Sequence, residues 1–460
     1  MDYHRFSWSD GRVTFLWPDH PLVLAGDKYL DILVKEILAG SGKEDIIGKI
    51  ARDSVYTYIE VSEFVEKIFE TLFSAGILGK EVPSHTQIHN PPSEGLSMAT
   101  LNLTKNCNLK CRHCYVGGKS FEKMPEMDAS EVRNVIEALS KLIVNQPRLF
   151  IISGGEPTLE KSKLRQAVQV AKANDLNVRL NTNGYGVDDD LAVFLANHQV
   201  LTQVSLDGVD PKTNSLLRGS EKAFYDAIDA IKKLVEAGVR TRISFTIHSE
   251  NIHQLADMIN FSQDLGVEQL TTSSLVGIGN AKENRMQSVE FKEEFEVLYD
   301  SVKDDREKQM MTKSTLLAET IQAIRAGIKF SYCGTGLSTC CIDANGDVYP
   351  CINMVRDDYR SGNAAKESIE QFWENSTVLS KLRMLNVNSM NFQCAQCIFR
   401  HFCGGYCRGE TLESGAELTS PYVRCKAWKQ GLVKVLDILS ESPDIYYFDE
   451  DPVVSVMHRE

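Results

Sequence analysis

Three cysteines, Cys107, Cys111 and Cys114, stand at a C-x3-C-x2-C spacing. A strand-like run, Met98 to Leu103, precedes them and two glycines follow, so the thiols are predicted on a loop at the end of a strand. Thiolates are the usual protein ligands of iron–sulfur clusters. Three ligands leave one iron of a cubane open to bind the amine and carboxylate of a small chelating molecule. A zinc site and three unrelated cysteines are the alternative interpretations.

The cysteine loop resembles the cluster loop of the radical S-adenosylmethionine (SAM) superfamily, and Tyr115 matches the aromatic residue common after the third cysteine there. The resemblance implies that Cys107, Cys111 and Cys114 are catalytic and hold a 4Fe–4S cluster. In that family the cluster reduces SAM, and the sulfonium breaks to give a 5′-deoxyadenosyl radical.

Other motifs of this family follow the next strand-like runs, beginning with Ser153-Gly154-Gly155-Glu156-Pro157. By the resemblance, the backbone and Glu of this motif hold the SAM amino group, a serine meets the ribose region, and an arginine binds the carboxylate bidentately. Gly277 to Ala281 is expected near the adenine. Asn-Gly and Asp-Gly turns also occur for purely structural reasons. The predicted SAM-binding residues are Tyr115, Gly154, Gly155, Glu156, Asn181, Asn183, Ser205 and Arg218.

The remaining nine cysteines lie in the last third of the chain, with Gly346 between the early ones. Their spacing resembles the SPASM domain, which carries two auxiliary 4Fe–4S clusters in its relatives. The resemblance implies that the first auxiliary cluster uses Cys333, Cys351 and Cys407. The second would use Cys394, Cys397, Cys403 and Cys425. Either Cys340 or Cys341 is expected as a fourth ligand of the first cluster, and the pattern does not choose between them. A zinc ribbon is the alternative for Cys394 to Cys407.

Six strand-like runs alternate with helix-like segments from Met98 onward, which implies an α/β fold with a parallel sheet and helices outside. This order resembles the partial (β/α)6 barrel of radical SAM enzymes, where chemistry sits at the carboxyl ends of the strands. The predicted strands are Met98–Leu103, Leu149–Ser153, Asn177–Asn181, Gln203–Leu206, Arg242–Ile247 and Gln269–Ser273.

Residues 1–82 are predicted to form a separate unit with two short strands, Arg12–Leu16 and Pro21–Leu24. Three helices should follow, over Lys28–Ala39, Lys43–Arg52 and Glu60–Ala75. This unit resembles the winged-helix, PqqD-like leader-recognition domain of peptide-modifying systems, and a generic helical cap is the alternative. The other predicted units are a linker (83–97), the barrel (98–310), a bridging segment (311–330), the SPASM domain (331–430), and a carboxyl-terminal helix and tail (431–460).

Net charge, apolar content and cysteine content limit the kinds of partner and cellular location that the chain can be expected to have. The net charge of −13 argues against nucleic acid as the main partner, because that role needs a basic face. No apolar run reaches the length of a membrane span, and the first residues lack a signal-peptide pattern, so a cytoplasmic protein is expected. Cysteines in such a chain are predicted as metal ligands rather than disulfides.

The resemblance implies a radical SAM enzyme that crosslinks a ribosomal precursor peptide carrying a leader, with flavodoxin or ferredoxin as electron donor. A thioether is favoured, as in sactipeptide and ranthipeptide maturases, and a carbon–carbon bond is the alternative. A formylglycine-forming sulfatase-maturating enzyme is a second reading, but such enzymes usually carry Asp directly after the cysteine that here is Cys351, where this chain has Ile352. A cluster-bearing electron-transfer or peptide-carrier protein is the third.

Overall fold

The computed structural model describes residues 3–20, 22–79, 95–115 and 125–448. The amino-terminal unit is a three-stranded antiparallel sheet, in the order β1-β2-β3, with three helices. Its buried side chains form an apolar core of their own, separate from the main core of the chain. The elements are β1 His4–Ser7, β2 Val13–Trp17, β3 Leu22–Gly26, α1 Lys28–Ala39, α2 Lys43–Asp53 and α3 Tyr58–Ser74.

Local signals explain the helix ends of this unit. The Asp27 side chain accepts from the Tyr29 N–H at the start of α1, and Gly40 ends it in the left-handed region at φ 82°. Thr57 and Glu60 form a capping box, so α3 begins two residues before the predicted Glu60. The three predicted helices are confirmed, whereas β1, a largely exposed edge strand, was missed.

The main sheet contains six neighbouring parallel strands in chain order, which confirms the α/β fold class. The strands are β4 Met98–Asn102, β5 Leu149–Ser153, β6 Asn177–Thr182, β7 Leu201–Ser205, β8 Thr241–Ile247 and β9 Gln269–Ser274. The helices that follow them are α4 Ala129–Leu142, α5 Lys161–Ala173, α6 Asp189–Asn197, α7 Pro211–Arg218, α8 Lys222–Glu236 and α9 Leu255–Asp264. One face of each strand packs on these helices, and the other faces the concave interior.

The cysteine-rich part of the chain extends this sheet on the other side of β4. Strand β10, Thr339–Ile342, pairs with β4 in parallel, placing Cys341 opposite Thr100. β11, Asp347–Tyr349, and β12, Gly362–Asn363, continue the sheet antiparallel. The sequence did not predict this junction, because strands of two to four residues carry no periodic signal.

The remaining helices lie between β9 and β10 and after β12. No helix in the described ranges has both the length and the apolar character needed to cross a membrane. The last helix packs along α11 and begins at Cys425, six residues before the predicted carboxyl-terminal helix and tail (431–460). These helices are α10 Asn280–Glu283, α11 Phe291–Val302, α12 Arg306–Met311, α13 Leu316–Arg325, α14 Ile369–Asn375, α15 Thr377–Arg383, α16 Phe392–Ala395, α17 Arg400–Cys403, α18 Arg408–Glu413 and α19 Cys425–Glu441.

The amino-terminal unit docks on the carboxyl-terminal part of the chain, where β2 and β3 lie against α19. Arg12 donates to the Asp437 carbonyl at 3.0 Å and forms an ion pair with its carboxylate at 3.1 Å. Arg400 forms an ion pair with Asp19, and it lines a cavity together with Cys394, Cys397, Cys403 and Cys425. The predicted linker (83–97) falls largely on residues 80–94, which lie outside the described residues. The contacts of Arg12 with Asp437 and of Arg400 with Asp19 are therefore the evidence that the amino-terminal unit docks on the carboxyl-terminal part of the chain.

Candidate active site

Cys107, Cys111 and Cys114 lie together on the loop that follows β4. Burial, and then the charges of Glu156, Cys111 and Cys114, raise the pKa of Cys107 to about 11. Burial and the neighbouring Cys114 also raise the pKa of Cys111. Burial thus favours the thiol form of Cys107 and Cys111, and a coordinated metal would favour their thiolate form instead. The predicted catalytic triad of cysteines is therefore assembled at the carboxyl end of the first barrel strand.

Gly154 and Gly155 let the turn after β5 press directly against this loop. The Gly155 N–H donates to the Thr104 carbonyl at 2.8 Å, and the Glu156 N–H donates to the Asn106 carbonyl at 2.7 Å. A Cβ at Gly155 would lie 2.1 Å from the Asn106 oxygen. At Gly154, with φ at 128°, a Cβ would lie 2.5 Å from the Thr104 oxygen. A side chain at either position would collide with the backbone of the cysteine loop, so both positions require glycine.

The Glu156 carboxylate is fully buried and joins the ends of β5 and β6. Oε1 accepts from the Thr158 hydroxyl at 2.8 Å and the Thr182 hydroxyl at 2.6 Å, and Oε2 accepts from the Asn183 N–H at 2.7 Å. Burial raises the pKa of Glu156 while these hydrogen bonds oppose it. Because Oε2 has one protein donor, it keeps a lone pair for a ligand amine.

The predicted polar residues at the ends of β6 and β7 lie near this network. The Asn183 amide donates to Asn108 Oδ1 at 2.9 Å and lies 3.9 Å from Cys107 Sγ. Asn181 Oδ1 is buried and has no hydrogen-bond partner among the described residues. Ser205 ends β7 on the concave side, in register with Ser244. Asn183 thus supports the cysteine loop, and Asn181 offers a free acceptor to a bound molecule.

Arg218 is brought to the catalytic loop by α7. Its Nε lies 2.6 Å from Asp207 Oδ2 in a buried ion pair, and Nη1 lies 4.0 Å from Cys111 Sγ. Burial alone would lower the pKa of Arg218, but the charges of Asp207 and Cys111 raise it overall. A permanent cation therefore stands beside the thiols, and its contact with the SAM carboxylate stays a prediction.

The loop after β9 clamps the cysteine loop from the other side. The Asn280 side chain donates to the Cys111 carbonyl at 2.9 Å, and its N–H donates to the Cys114 carbonyl at 3.0 Å. Gly279, with φ at 57°, approaches so closely that a Cβ would lie 2.6 Å from the Cys114 oxygen. The sequence placed this loop near the adenine, which stays a prediction; its contacts in the structure are with the catalytic loop.

Polar contacts tie the catalytic loop to the β10–β11 hairpin. Lys105 Nζ lies 3.0 Å from Asp343 Oδ2, and the Asn102 amide donates to Asp343 Oδ1 at 3.3 Å. The Tyr115 hydroxyl donates to Asn102 Oδ1 at 3.3 Å. Burial, followed by the nearby Cys341, raises the pKa of Tyr115. Tyr115 therefore lies between the catalytic loop and the hairpin that carries the extra cysteines.

A second thiol group comprises Cys333, Cys351 and Cys407. Burial, and then the charges of Cys333 and Cys407, raise the pKa of Cys351 to about 12. The Asn353 amide lies 3.5 Å from Cys407 Sγ. A Cβ at Gly409 would lie 2.3 Å from the Asn353 carbonyl oxygen, so the two ligand loops interlock. This is the set predicted for the first auxiliary cluster.

The two extra cysteines point to opposite faces of β10. Cys340 belongs to the apolar core, and burial alone raises its pKa to about 12. Cys341 lies 3.9 Å from the Asn102 amide, and burial, followed by the charges of Asp343, Cys340 and Cys351, raises its pKa. Strand alternation therefore places only Cys341 on the side of the second thiol group.

A third group comprises Cys394, Cys397, Cys403 and Cys425, which line one cavity with Tyr422, Trp428 and Leu432. Burial, and then the charges of the other three thiols, raise the pKa of Cys403 to about 12. The Asn391 amide donates to Cys394 Sγ at 3.3 Å. The four residues predicted for the second auxiliary cluster are thus gathered around one space.

The three groups fit iron–sulfur clusters better than single ions. All twelve cysteines are free thiols. Across the parts of the chain that the structure describes, no three His, Cys, Asp or Glu side chains converge on a point that would hold one metal ion. Thiol donors spaced around a cavity suit a cluster.

Comparison with known proteins gives matches along most of the chain. Residues 101–262 match the Radical SAM superfamily, and residues 333–398 match SPASM, an iron–sulfur cluster-binding domain. Mycofactocin maturase MftC of Mycolicibacterium smegmatis is 28% identical over 71% of this chain and 81% of that protein. Pre-heme d1 synthase of Dinoroseobacter shibae is 26% identical over 68% and 81%.

Two solved structures share the fold. Native anSMEcpe with bound AdoMet superposes at a TM-score of 0.62 and 19% identity, covering 76% of this chain and all of that one. SuiB of Streptococcus suis bound to precursor peptide SuiA gives a TM-score of 0.59 at 16% identity, covering 92% of this chain and all of that one.

A parallel sheet with three thiols beyond its carboxyl edge, together with two further groups of thiols, is an arrangement suited to an iron–sulfur enzyme. With both domain matches, the chain is a radical SAM enzyme that carries a SPASM domain. SAM and 4Fe–4S clusters are its cofactors. The family resemblance is confirmed, while the leader-recognition role of the amino-terminal unit stays a prediction.

Three residues that build the site were not among the predicted site residues, although one of them, Asn280, lies in the Gly277–Ala281 segment that was expected near the adenine. Asp207, Asn280 and Glu410 hold their neighbours through contacts between distant segments. Glu410 accepts from the Gly277 N–H at 3.2 Å, and its own N–H donates to Cys407 Sγ at 3.4 Å. Asp207 stands two residues after the predicted Ser205 and directly before Gly208, so its position near a predicted site residue was a usable signal. Nothing in the local sequence indicates the role of Glu410.

Proposed function

We propose that this enzyme matures a ribosomal precursor peptide by radical chemistry. The names of similar proteins support a peptide substrate, since mycofactocin maturase is among them and SuiB was solved with its precursor peptide. The observation that carries the proposal is the amino-terminal unit, which joins a strand edge and exposed apolar side chains to an enzyme core. A radical enzyme whose substrate is a small molecule does not need a surface that binds a peptide strand.

The surface suited to a leader lies around β3 and α3. In the described part of the chain β3 pairs with β2 alone, which leaves an edge where a peptide could add a strand. Beside it, a groove is lined by Gly26, Tyr29, Ile50, Tyr56, Val61 and Phe64. Val55 and Ile59, with 94% and 69% exposure, add apolar surface that no other described residue covers.

The cofactors would be held by the three thiol groups. Cys107, Cys111 and Cys114 would hold the SAM-binding cluster. The first auxiliary cluster would use Cys333, Cys351 and Cys407 with Cys341 as the fourth ligand, and the second Cys394, Cys397, Cys403 and Cys425. When bound, this set supplies the electron that cleaves SAM to the 5′-deoxyadenosyl radical and an acceptor for an electron from the substrate. Asn181 and Oε2 of Glu156 offer acceptors to SAM.

The product we favour is an intramolecular thioether between a peptide cysteine and an unactivated carbon. Its formation removes a hydrogen atom from carbon, a proton from the thiol and one electron. A carbon–carbon crosslink also removes two hydrogens in total, but both leave from carbon atoms. A formylglycine-forming activity is less well supported, because Ile352 follows Cys351 where an aspartate base would be expected.

The test is anaerobic reconstitution with reduction by flavodoxin or dithionite, followed by assays for 5′-deoxyadenosine and for loss of two hydrogens from co-expressed precursor peptides. Replacing Cys107, Cys111 and Cys114 together with Ala should abolish SAM cleavage and leave auxiliary iron. Continued 5′-deoxyadenosine formation in that variant would refute the assignment of the catalytic thiols.

Leader recognition is tested by Ile59→Asp. Ile59 is exposed in the first turn of α3, where a carboxylate favours the helix, so folding should be unharmed. Peptide turnover at low peptide concentration should fall, and SAM cleavage without peptide should persist. Val193→Asp on α6, at another exposed apolar site, is the matched control. Equal peptide turnover in both variants would make the unit a structural cap.

A further inference from the structure

Two arginines face the concave interior of the barrel, below the edge where the SAM motifs lie. Arg179 stands two residues before Asn181 on β6, and Arg242 stands two residues before Ser244 on β8. Successive residues on one face of a strand are roughly 7 Å apart, so both arginines lie one step deeper than the SAM-binding edge. Their neighbours on the opposite face, including Val178 and Ile243, belong to the apolar core.

Arg179, the Nε atom of Arg242 and several polar atoms around them have no hydrogen-bond partner among the described residues. Arg179 makes no hydrogen bond or ion pair with any described residue, and its Nε is buried. The Nε of Arg242 is also buried and unpaired. On the intervening and adjacent strands, Gln203 Oε1 and Thr271 Oγ1 are buried without partners. Native proteins rarely leave so many buried polar atoms unsatisfied in one place, which points to a ligand.

The charge balance of this interior is positive. The carboxylate that contacts Arg242, Glu268, accepts from Arg240 Nε at 2.9 Å and Nη2 at 2.8 Å, and it lies 3.4 Å from Arg242 Nη2. Glu319 on α13 attracts Arg179 and Arg242 electrostatically, but among the described residues it forms an ion pair with neither of them. Burial, and then the charge of Arg242, lower the pKa of Arg179. An added anion would relieve this repulsion.

We propose that Arg179 and Arg242 bind a carboxylate of the substrate in the barrel interior beneath SAM. A guanidinium matches a carboxylate with two parallel hydrogen bonds, and a carboxylate brings the missing negative charge. The identification of the substrate as a peptide rests on the proposed function above. In a peptide the group is either an Asp or Glu side chain or the terminal carboxylate. Fixing it would hold a neighbouring C–H bond toward the catalytic loop.

Small blocked amino acids serve as probes, titrated by calorimetry or ligand-observed NMR into the reconstituted enzyme with SAM bound. N-acetylglutamate α-amide presents only a side-chain carboxylate, and N-acetylalanine presents only a terminal one. N-acetylglutamine α-amide is the neutral control. At least one acid should bind tenfold or more tightly than the neutral control, and the preferred acid identifies the source of the carboxylate. Equal binding of acids and amide overturns the proposal.

Arg179→Gln and Arg242→Gln should each reduce that preference about tenfold, and Arg179→Lys should restore part of it. Arg133→Gln, which removes a charge from an exposed face of α4, should change nothing. Unchanged binding in both glutamine variants also overturns the proposal. If either variant misfolds, the comparison in the intact enzyme still decides. If the enzyme binds the acids selectively but modifies no peptide, the carboxylate site is supported and the proposed peptide function is refuted. If it modifies peptides but does not prefer the acids, the peptide function is supported and the carboxylate site is refuted.

Discussion

Replacing Gly155 with Ala should disable SAM cleavage without unfolding the enzyme. Gly155 has no left-handed backbone angle, so the change adds a methyl group and no torsional strain. That methyl carbon would lie 2.1 Å from the Asn106 carbonyl oxygen and 2.8 Å from the Lys105 oxygen. Both atoms belong to rigid backbone directly before Cys107, so they cannot rotate away as a side chain could.

The size of the effect follows from the displacement that this contact demands. Real Cβ atoms do not approach an oxygen closer than 3.0 Å, so the turn and the cysteine loop must separate by about 1 Å. The Glu156-to-Asn106 backbone hydrogen bond would be lost as well, at about 1 kcal/mol. Misplacement of a reacting group by 1 Å can cost about a hundredfold in rate, and we expect a loss of that order.

The assay is 5′-deoxyadenosine formation by reconstituted enzyme, with electron paramagnetic resonance of the reduced catalytic cluster. The two auxiliary thiol groups lie elsewhere, so their iron should be retained. Gly48→Ala, in the middle of α2 with open space around it, is the control and should leave the rate unchanged. A Gly155→Ala enzyme that cleaves SAM at the normal rate would refute the claim that this contact positions the catalytic loop.

Three further changes have definite outcomes. Asn280→Ala removes the hydrogen bond to the Cys111 carbonyl and should slow SAM cleavage about fivefold, measured by 5′-deoxyadenosine formation. Cys341→Ala should reduce the iron bound per chain if this thiol completes the first auxiliary cluster, whereas Cys340→Ala should lower the melting temperature and keep all iron. Glu294 is buried, which raises its pKa to about 7. The folded state thus holds a proton that the unfolded chain releases near pH 4.5, so stability should fall by up to about 3 kcal/mol as pH rises from 4.5 to 7. Glu294→Gln should flatten that dependence in urea titrations.

The parts of the fold and site that the sequence predicted are those encoded by local spacing. The cysteines of each group are close in sequence or fall at characteristic intervals, so their grouping could be read directly. Strong alternation of strands and helices fixed the order of β4 to β9. The capping residues Asp27 and Thr57 similarly mark helix starts through contacts within one turn.

The missed parts depend on contacts between distant segments. Pairing of β10 with β4 joins residues about 240 positions apart, and nothing local in Thr339–Ile342 identifies its partner strand. The sequence therefore could not choose between Cys340 and Cys341, which the pairing separates onto two faces. Asp207 was also not predicted as a site residue, because its role is to form an ion pair with Arg218, which a local turn pattern does not reveal.

One chain of short contacts connects the catalytic loop to the second thiol group. Asn280 binds the carbonyls of Cys111 and Cys114, and Gly277 in the same loop donates to Glu410. The Glu410 N–H in turn donates to Cys407 Sγ, and the Tyr422 hydroxyl holds the other Glu410 oxygen at 2.6 Å. Because each step is a hydrogen bond to a backbone carbonyl, a thiol or a carboxylate, we expect a shift of one ligand set to disturb the other. Substitutions at Asn280 and Glu410 should therefore be non-additive in their effects on SAM cleavage, as residues of one network are.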